Sequence, residues 1–241
     1  MNNFELLAFA GDATLAEAAA KRLLGEIARV SSTGAYCVAL SGGRITGHFF
    51  SSIVKECQRR AVTLDRVHFF WSDERCVPPT DPDSNFAVAE EHLFLPLAVA
   101  PQQIHRIRGE LEPVAAAADA GAEVARLCPV DDRQQPVFDL VLLGMGEDGH
   151  VASLFPNEPE ETVKTVYRPV RASKPPPNRI TMSYLTIGAA REVWVLASGA
   201  GKERALRESL VHGGTTPLAK VLSRRQRTTV FTDIRMEADT F

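Results

Sequence analysis

Asp148 and His150 stand two residues apart in residues 143–156, which read LGMGEDGHVASLFP. The segment follows FDLVLL, an apolar run typical of a buried strand. A histidine titrates near neutral pH, which suits general acid–base catalysis, and a nearby carboxylate can orient its ring. The alternative interpretation is a structural histidine held by hydrogen bonds. The pair is therefore a candidate catalytic site on a glycine-rich loop.

The glycines of this loop, Gly144, Gly146 and Gly149, match the G-x-G-x-x-G spacing of dinucleotide-binding turns. That motif needs a helix starting at the third glycine and an acidic residue about 20 residues later. Here Pro156 and Pro159 follow closely, and proline stops a helix. The later stretch KTVYRPVRA contains no carboxylate. The glycines are therefore predicted to serve a sharp turn or to leave room for a ligand.

Polar or glycine-rich segments also follow three other predicted strands: SGGR, SDER and SGAGK. Ligands bind at the carboxyl ends of strands in open α/β sheets, so we expect all four loops to converge on one pocket. In the SDER segment, Asp73 and Arg75 combine a carboxylate with a guanidinium. The alternative for this segment is a surface ion-pair cluster.

A phosphate-binding role is predicted for residues of two of these segments, SGGR and SGAGK, and for Arg179, which follows PPPN. Free backbone N–H groups at a helix start favour a phosphate, lysine holds it as a point charge, and arginine binds it bidentately. The alternatives are an ordinary tight turn, a solvated lysine and a surface arginine. The candidates are Ser41, Gly42, Gly43 and Arg44, together with Arg179 and Lys202.

Alternating segments along the chain predict an α/β fold with a mostly parallel sheet, doubly wound, with helices on both faces. We predict one domain over residues 1–241. The predicted strands cover residues 35–41, 67–72, 138–144, 179–183, 192–198 and 228–232. The predicted helices cover residues 12–30, 46–60, 85–94, 113–127 and 202–210, and the loop 156–178 is the most mobile candidate.

Composition excludes several classes of protein. The 241 residues carry a net charge of -3, which attracts neither nucleic acid nor an anionic membrane surface. No apolar run approaches the roughly 20 residues of a membrane span, and MNNFELLAFAGD lacks the features of a secretory signal. The four cysteines are widely spaced, as in a reducing compartment, and no cysteines or histidines stand at zinc-ligand spacing. We therefore expect a cytoplasmic protein without a metal.

Five blocks together resemble the 6-phosphogluconolactonase family. They read FFWSDERCVPPTDPDSNF, IHRIRGE, FDLVLLGMGEDGHVASLFP, PPNRITMSYLTI and ASGAGKERAL, in that order. The resemblance runs from about Phe4 to Val230. It implies hydrolysis of the small-molecule substrate 6-phospho-D-glucono-1,5-lactone, without cofactor or metal, in the oxidative pentose phosphate pathway. The superfamily also contains glucosamine-6-phosphate deaminases, which share the α/β sheet and the Asp-Gly-His loop.

The resemblance suggests a role for each candidate. His150 would be the general base that activates water, and Asp148 would orient the loop or the imidazole. Asp73 and Arg75 would line the opposite wall, where the arginine faces developing negative charge. Whether either aspartate assists the base stays open at this point. The phosphate would be held by Arg179, Lys202 and the loop 41–44.

One segment departs from the family pattern. Members usually continue SGG with a small or basic residue and then Thr-Pro. Here Ile45 and Thr46 occupy those two positions. Ile45 lacks the usual hydroxyl group, so the side-chain contact to phosphate is in doubt. Thr46 supplies that hydroxyl if the turn shifts by one residue.

Two other functions fit the sequence less well than the lactonase. Deaminases continue the Gly-His loop with Ala-Phe-Asn-Glu-Pro, in which the glutamate works with the histidine. Here Phe155 stands at the position of that glutamate, and Asn-Glu-Pro follows only at residues 157–159. A non-catalytic sugar-phosphate sensor would be expected to lose His150 or its acidic neighbours, and both are present. The lactonase is preferred, as a monomer or weak homodimer.

Overall fold

The computed structural model describes residues 4–29, 34–158 and 164–236. The strands are β1 (Phe4–Ala8), β2 (Tyr36–Leu40), β3 (Val67–Trp71), β4 (Asp73–Arg75), β5 (Leu140–Gly144), β6 (Tyr167–Arg171), β7 (Asn178–Met182), β8 (Glu192–Ala197) and β9 (Thr228–Thr232). The α-helices are α1 (Asp12–Arg29), α2 (Arg44–Arg60), α3 (Asn85–Ala89), α4 (Leu95–Leu97), α5 (Pro113–Leu127), α6 (Tyr184–Ala189), α7 (Glu203–Leu210) and α8 (Pro217–Ser223). A π-helix, Glu90–Phe94, joins α3 to α4.

The main sheet has six strands in the order β1-β9-β8-β5-β2-β3. Every neighbouring pair in it is parallel. All residues of β2 and β9 are buried, as expected when helices cover both faces of a sheet. The predicted mostly parallel sheet flanked by helices is confirmed.

A second, smaller sheet is antiparallel, with the order β4-β7-β6. The predicted strand 179–183 is β7, and it pairs with β4 and β6 rather than with a strand of the main sheet. The chain passes from β3 into β4 through Ser72, whose N–H donates to the carbonyl of Leu40 (2.7 Å). The Tyr167 hydroxyl donates to the carbonyl of Trp71 (2.7 Å). These bonds hold the small sheet beside the carboxyl ends of β2 and β3.

Most element bounds agree with the predictions to within two residues. Helix α5 and strand β9 agree at both ends, whereas α2 begins at Arg44 rather than at residue 46. The predicted helix 12–30 ends at Arg29, and residue 30 lies outside the described residues. The predicted helix 85–94 divides into α3 and the π-helix. Strand β1 and helices α6 and α8 were not predicted.

The predicted loop 156–178 is wrong in part, because residues 167–171 form β6. This strand is an edge of the small sheet, and Pro169 lies opposite Ile180. An edge strand tolerates proline because one side of its backbone needs no ladder hydrogen bond. Residues 159–163 of the predicted loop lie outside the described residues.

Within the described ranges, no helix combines the length and apolar character needed to cross a bilayer.

Candidate active site

A solvent-open cavity lies at the carboxyl ends of β2 and β5, beside β4 and β7. All four polar loops predicted to converge contribute to it. Every predicted site residue lines it except Asp148 and Thr46. The lining residues are Ser41, Gly42, Gly43, Arg44, Ile45, Asp73, Arg75, Asn85, Gly144, Met145, His150, Ala152, Arg179 and Lys202.

His150 lies on the wall formed by the loop after β5. Its Nδ1 atom lies 2.6 Å from Oδ1 of Asp148, and its backbone N–H donates to the same oxygen (3.1 Å). An ionised carboxylate only accepts hydrogen bonds, so Nδ1 carries the proton and Nε2 keeps a free lone pair. The ring packs against Phe155 at a centroid distance of 5.1 Å. Asp148 therefore fixes the tautomer that a general base requires.

The pKa of Asp148 agrees with this arrangement. Burial acts to raise the pKa of the carboxyl group, but the hydrogen bonds and charge of His150 outweigh burial and lower the pKa below its ordinary value. Asp148 consequently stays ionised at neutral pH. An ionised carboxylate beside an imidazole favours the imidazolium form of the ring.

The glycines of this loop make room for side chains rather than for a dinucleotide. A Cβ atom at Gly146 would overlap the imidazole ring of His150. Gly149 has a φ of +79°, which L-residues rarely adopt, and a Cβ there would lie 2.8 Å from Thr216. Among the described residues no long helix follows Gly149; the next α-helix is α6. The structure thus agrees with the rejection of a dinucleotide site.

Two arginines lie side by side on neighbouring strands of the small sheet. Arg75 of β4 pairs with Arg179 of β7 in the antiparallel register, so their side chains share a face. Arg75 Nη1 donates to the carbonyl of Asp83 (2.6 Å), and its Nε is buried without a hydrogen-bond partner among the described residues. Arg179 Nε donates to the carbonyl of Pro176 (3.1 Å). Burial and the charge of Arg75 lower the pKa of Arg179.

Asp73 is the acidic residue of the cavity and is 4% exposed. Its Oδ2 accepts a hydrogen bond from the Ser153 hydroxyl (2.7 Å). Ser153 belongs to the loop that carries His150, and its own N–H donates to Thr181 Oγ1 (3.1 Å). Asp73 therefore connects the small sheet to that loop. The sequence contained Ser153 within a recognised block but indicated no role for it.

Further positive charge lies on the opposite side. Lys202 is in the 3₁₀-helix Ala200–Lys202 that follows β8. Burial and the charge of Arg44 lower the pKa of Lys202, while Asp233 and Glu147 act in the opposite direction. A bound anion would relieve the repulsion between these cations. The cavity thus has the electrostatics of an anion site.

The start of α2 forms the floor between these cations. Gly43 is its N-cap, with a φ of 107° and no side-chain cap hydrogen bond. The first N–H groups of the helix are therefore open to a ligand. The Ser41 hydroxyl accepts from the N–H of Gly144 (3.0 Å), so it ties two loops together. The Ser41 O–H makes only a long bond of its own, to the carbonyl of Gly42 (3.5 Å), so it remains a donor of the segment beside the backbone N–H groups and the Arg44 guanidinium.

Thr46 does not line the cavity. It is 5% exposed within the first turn of α2, whereas Ile45 is among the lining residues. The Thr46 N–H bonds to the carbonyl of Gly43 (3.1 Å) as the helix begins. Thr46 is consequently placed away from the position where a phosphate contact was predicted.

Asn85 is a lining residue that the sequence reasoning missed. Its Nδ2 donates to the carbonyl of Asp73 (2.9 Å), and a Cβ atom at Gly42 would collide with its amide group. The block DPDSNF contained this asparagine, but only its position at the start of α3 was used. Asn85 and Gly42 are far apart in the chain, and a contact between distant segments produces no periodic pattern in a single sequence.

The fold and the cavity are those of an α/β enzyme with a cationic site at the carboxyl ends of its strands. The family described as glucosamine-6-phosphate isomerases/6-phosphogluconolactonase matches residues 10–231, and the chain belongs to this family. It is 37% identical over 209 residues to the 6-phosphogluconolactonase of Streptomyces coelicolor, covering 83% of this chain and 80% of that protein. It is 35% identical over 216 residues to the 6-phosphogluconolactonase of Mycobacterium tuberculosis, covering 85% and 84%.

Solved structures agree with this assignment. The 6-phosphogluconolactonase of Trypanosoma brucei superposes with a TM-score of 0.82 at 28% identity, over 96% of each chain. A monomeric glucosamine-6-phosphate deaminase superposes with a TM-score of 0.79 at 19% identity, over 95% of this chain and 96% of that one. The second likeness concerns the fold alone.

Proposed function

We propose that this chain hydrolyses 6-phospho-D-glucono-1,5-lactone to 6-phospho-D-gluconate, the second step of the oxidative pentose phosphate pathway. The observation that carries the proposal is that His150, oriented by its bond to Asp148, lines the same cavity as four cationic side chains. A phosphorylated lactone needs both: a base to activate water at the carbonyl and a cationic region for the phosphate. Relatives at 35–38% identity are named 6-phosphogluconolactonase.

The reaction begins when Nε2 of His150 takes a proton from water as the water oxygen attacks C1. Negative charge then develops on the former carbonyl oxygen. Arg75 is our candidate to stabilise that charge, because a fixed cation beside the reacting carbonyl lowers the barrier. Collapse of the tetrahedral intermediate breaks the C1–O5 bond. The proton held by His150 then passes to O5, which regenerates the neutral imidazole.

The phosphate end of the substrate is assigned to Arg179, Lys202, Arg44 and the free N–H groups at the start of α2. A guanidinium forms two parallel hydrogen bonds to phosphate, and the ammonium adds a point charge. Binding energy from this remote group also positions the reacting carbonyl next to His150.

A deaminase is the second candidate, and one contact argues against it. Glu158, the glutamate of the late Asn-Glu-Pro sequence, forms an ion pair with Arg168 of β6. It is not a lining residue of the cavity. The position of the deaminase glutamate is occupied by Phe155, whose ring packs against His150. A phenyl ring cannot transfer a proton.

Parallel assays separate the two functions. Lactone hydrolysis is followed by oxidation of the 6-phosphogluconate formed, with the spontaneous rate subtracted, and ammonia release from glucosamine 6-phosphate is measured on the same preparation. We expect hydrolysis well above the spontaneous rate and no ammonia. Ammonia release without lactone hydrolysis would replace the lactonase by the deaminase.

Activity is expected to survive chelation. The described residues contain no group of three or more histidine, cysteine, aspartate or glutamate side chains that could hold a metal. The proposed steps use only His150, Arg75 and water. Dialysis against a strong chelator, followed by the hydrolysis assay, measures whether activity depends on a bound metal. Activity that is lost and then restored by zinc or magnesium would refute the metal-free mechanism.

The reaction product, 6-phosphogluconate, is expected to stabilise the protein against thermal unfolding. A ligand that binds only the folded state stabilises by about 2.7 kcal/mol at a hundredfold excess over Kd. For a chain of this size, that raises Tm by roughly 5–10 °C. Lys202→Ala should reduce the shift because it removes one phosphate contact. Calorimetry or dye fluorescence measures Tm with and without 6-phosphogluconate.

Two controls belong to this experiment. Gluconate, which lacks the phosphate, should leave Tm almost unchanged. Lys55→Ala removes an exposed lysine of α2 outside the cavity and should keep the full shift. An unchanged shift in the Lys202 variant would remove that residue from the phosphate site.

Location and assembly remain predictions within this proposal. The four cysteines are free, which fits a reducing compartment such as the cytoplasm. Light scattering on the purified chain distinguishes the expected monomer or weak homodimer from larger assemblies.

A further inference from the structure

Glu74 is a buried carboxylate that the proposed mechanism does not use. It lies between Asp73 and Arg75 on β4, and both neighbours line the cavity. Successive side chains of a strand point to opposite faces, so Glu74 points away from the cavity. It is 2% exposed. Burial of a carboxylate is costly unless hydrogen bonds compensate for the lost water.

Four donors surround this carboxylate. Oε1 accepts from the N–H groups of Arg75 (2.7 Å) and Asn85 (2.8 Å). Oε2 accepts from the N–H of Phe86 (2.8 Å) and from the Ser84 hydroxyl (3.1 Å). Burial raises the pKa of Glu74 to about 7, and the backbone hydrogen bonds act in the opposite direction.

These bonds close the loop 76–84 at its base and connect two walls of the cavity. On one side, Glu74 fixes the backbone of Arg75, whose guanidinium is held by the carbonyl of Asp83 in the same loop. On the other side, it fixes the backbone of Asn85, whose amide packs against Gly42 at the start of α2. Glu74 thus links the backbone that carries Arg75 to the residue that packs against the start of α2.

We propose that Glu74 is a positioning residue for lactone hydrolysis: it acts through Arg75 and Asn85 and does not touch the substrate. The inference rests on the proposed function, because it assigns Arg75 to the developing charge. A displacement of about 1 Å in such a group is enough to slow catalysis severely.

Glu74→Gln is the sharpest test, because glutamine has nearly the same shape but one acceptor oxygen fewer. Its NH₂ group would face N–H or O–H donors on one side, and at least one of the four bonds would be lost. We expect kcat to fall by about tenfold. KM should change by less than about threefold, because Arg179 and Lys202 lie on other elements. Steady-state kinetics of lactone hydrolysis give both constants.

Glu112→Gln is the matched control. Glu112 also accepts backbone N–H groups at the start of a helix, from Val114 (3.0 Å) and Ala115 (3.1 Å), but it does not line or flank the cavity. Glu112 accepts both bonds on Oε2, which a glutamine carbonyl can replace, so Glu112→Gln should keep both its capping bonds and its kcat, and only Glu74→Gln should lose kcat. A purely structural role would lower the amount of folded enzyme without lowering kcat per folded molecule.

Ser84→Ala gives a milder second test, which also decides the matter if Glu74→Gln does not fold. It removes one donor to Glu74, and we expect kcat to fall by about two- to fivefold with KM unchanged. Unchanged kcat in the folded variants, or a rise in KM that accounts for the whole loss, overturns the positioning role. An inactive wild-type protein overturns the proposed function as well, so the two failures are distinguishable.

Discussion

Replacing His150 with asparagine is expected to lower kcat by roughly 10²–10⁴ while the fold is preserved. The loss follows from chemistry: the asparagine amide cannot take a proton from water at neutral pH. The fold should persist because His150 lies on a loop and its side chain is 30% exposed. Rapid-quench or coupled kinetics on freshly prepared lactone measure kcat, and circular dichroism checks the fold.

His48→Asn is the control for this variant. His48 also lies near a carboxylate, with Nδ1 3.4 Å from Oδ2 of Asp12, but it is not a lining residue of the cavity. Its replacement should leave kcat at the wild-type value. Near-wild-type turnover in His150→Asn would remove His150 from the role of general base and would leave the mechanism without one.

Arg179→Ala is expected to lower kcat/KM for the phosphorylated lactone by about tenfold to a hundredfold. A hydrogen bond to a charged group contributes about 1.5–3 kcal/mol, and each 1.4 kcal/mol corresponds to a factor of ten. The unphosphorylated lactone never makes this contact, so its hydrolysis should barely change. Arg179→Lys should recover only part of the loss, because an ammonium cannot form two parallel bonds.

The comparison of two substrates separates recognition from structure. Arg179 also packs its guanidinium over Phe155, which contacts His150, so the alternative to phosphate recognition is a structural effect on the packing beside His150. Such an effect would reduce the hydrolysis of both lactones equally, and the assignment of Arg179 to the phosphate would then be withdrawn. Arg171→Ala, an exposed arginine of β6 outside the cavity, is the matched control and should affect neither substrate.

The parallel sheet was predictable because its strands are buried on both faces. Runs such as YCVAL and LVLLG are continuously apolar, and amphipathic helices separate them. The convergence of the polar loops followed from one general rule about the carboxyl ends of parallel strands. The strand and loop patterns therefore predicted which loops form the cavity.

The small sheet was not predictable in the same way. Strand β4 has three residues, too few for periodicity, and β6 contains Pro169. The pairing of Arg75 with Arg179 depends on an antiparallel register between segments far apart in the chain. The bond from Ser153 to Asp73 is a tertiary contact of the same kind. Local sequence patterns contain no information on such pairings.

The central claim is that this cavity catalyses attack of water on the C1 carbonyl of the phosphorylated lactone. It is tested most directly by ¹³C NMR of lactone labelled at C1, recorded immediately after the enzyme is added. The account predicts that the lactone signal gives way to the carboxylate signal of 6-phosphogluconate well ahead of the spontaneous reaction. It also predicts that His150→Asn returns the progress curve close to the spontaneous one. Identical curves with and without the wild-type protein would contradict the account.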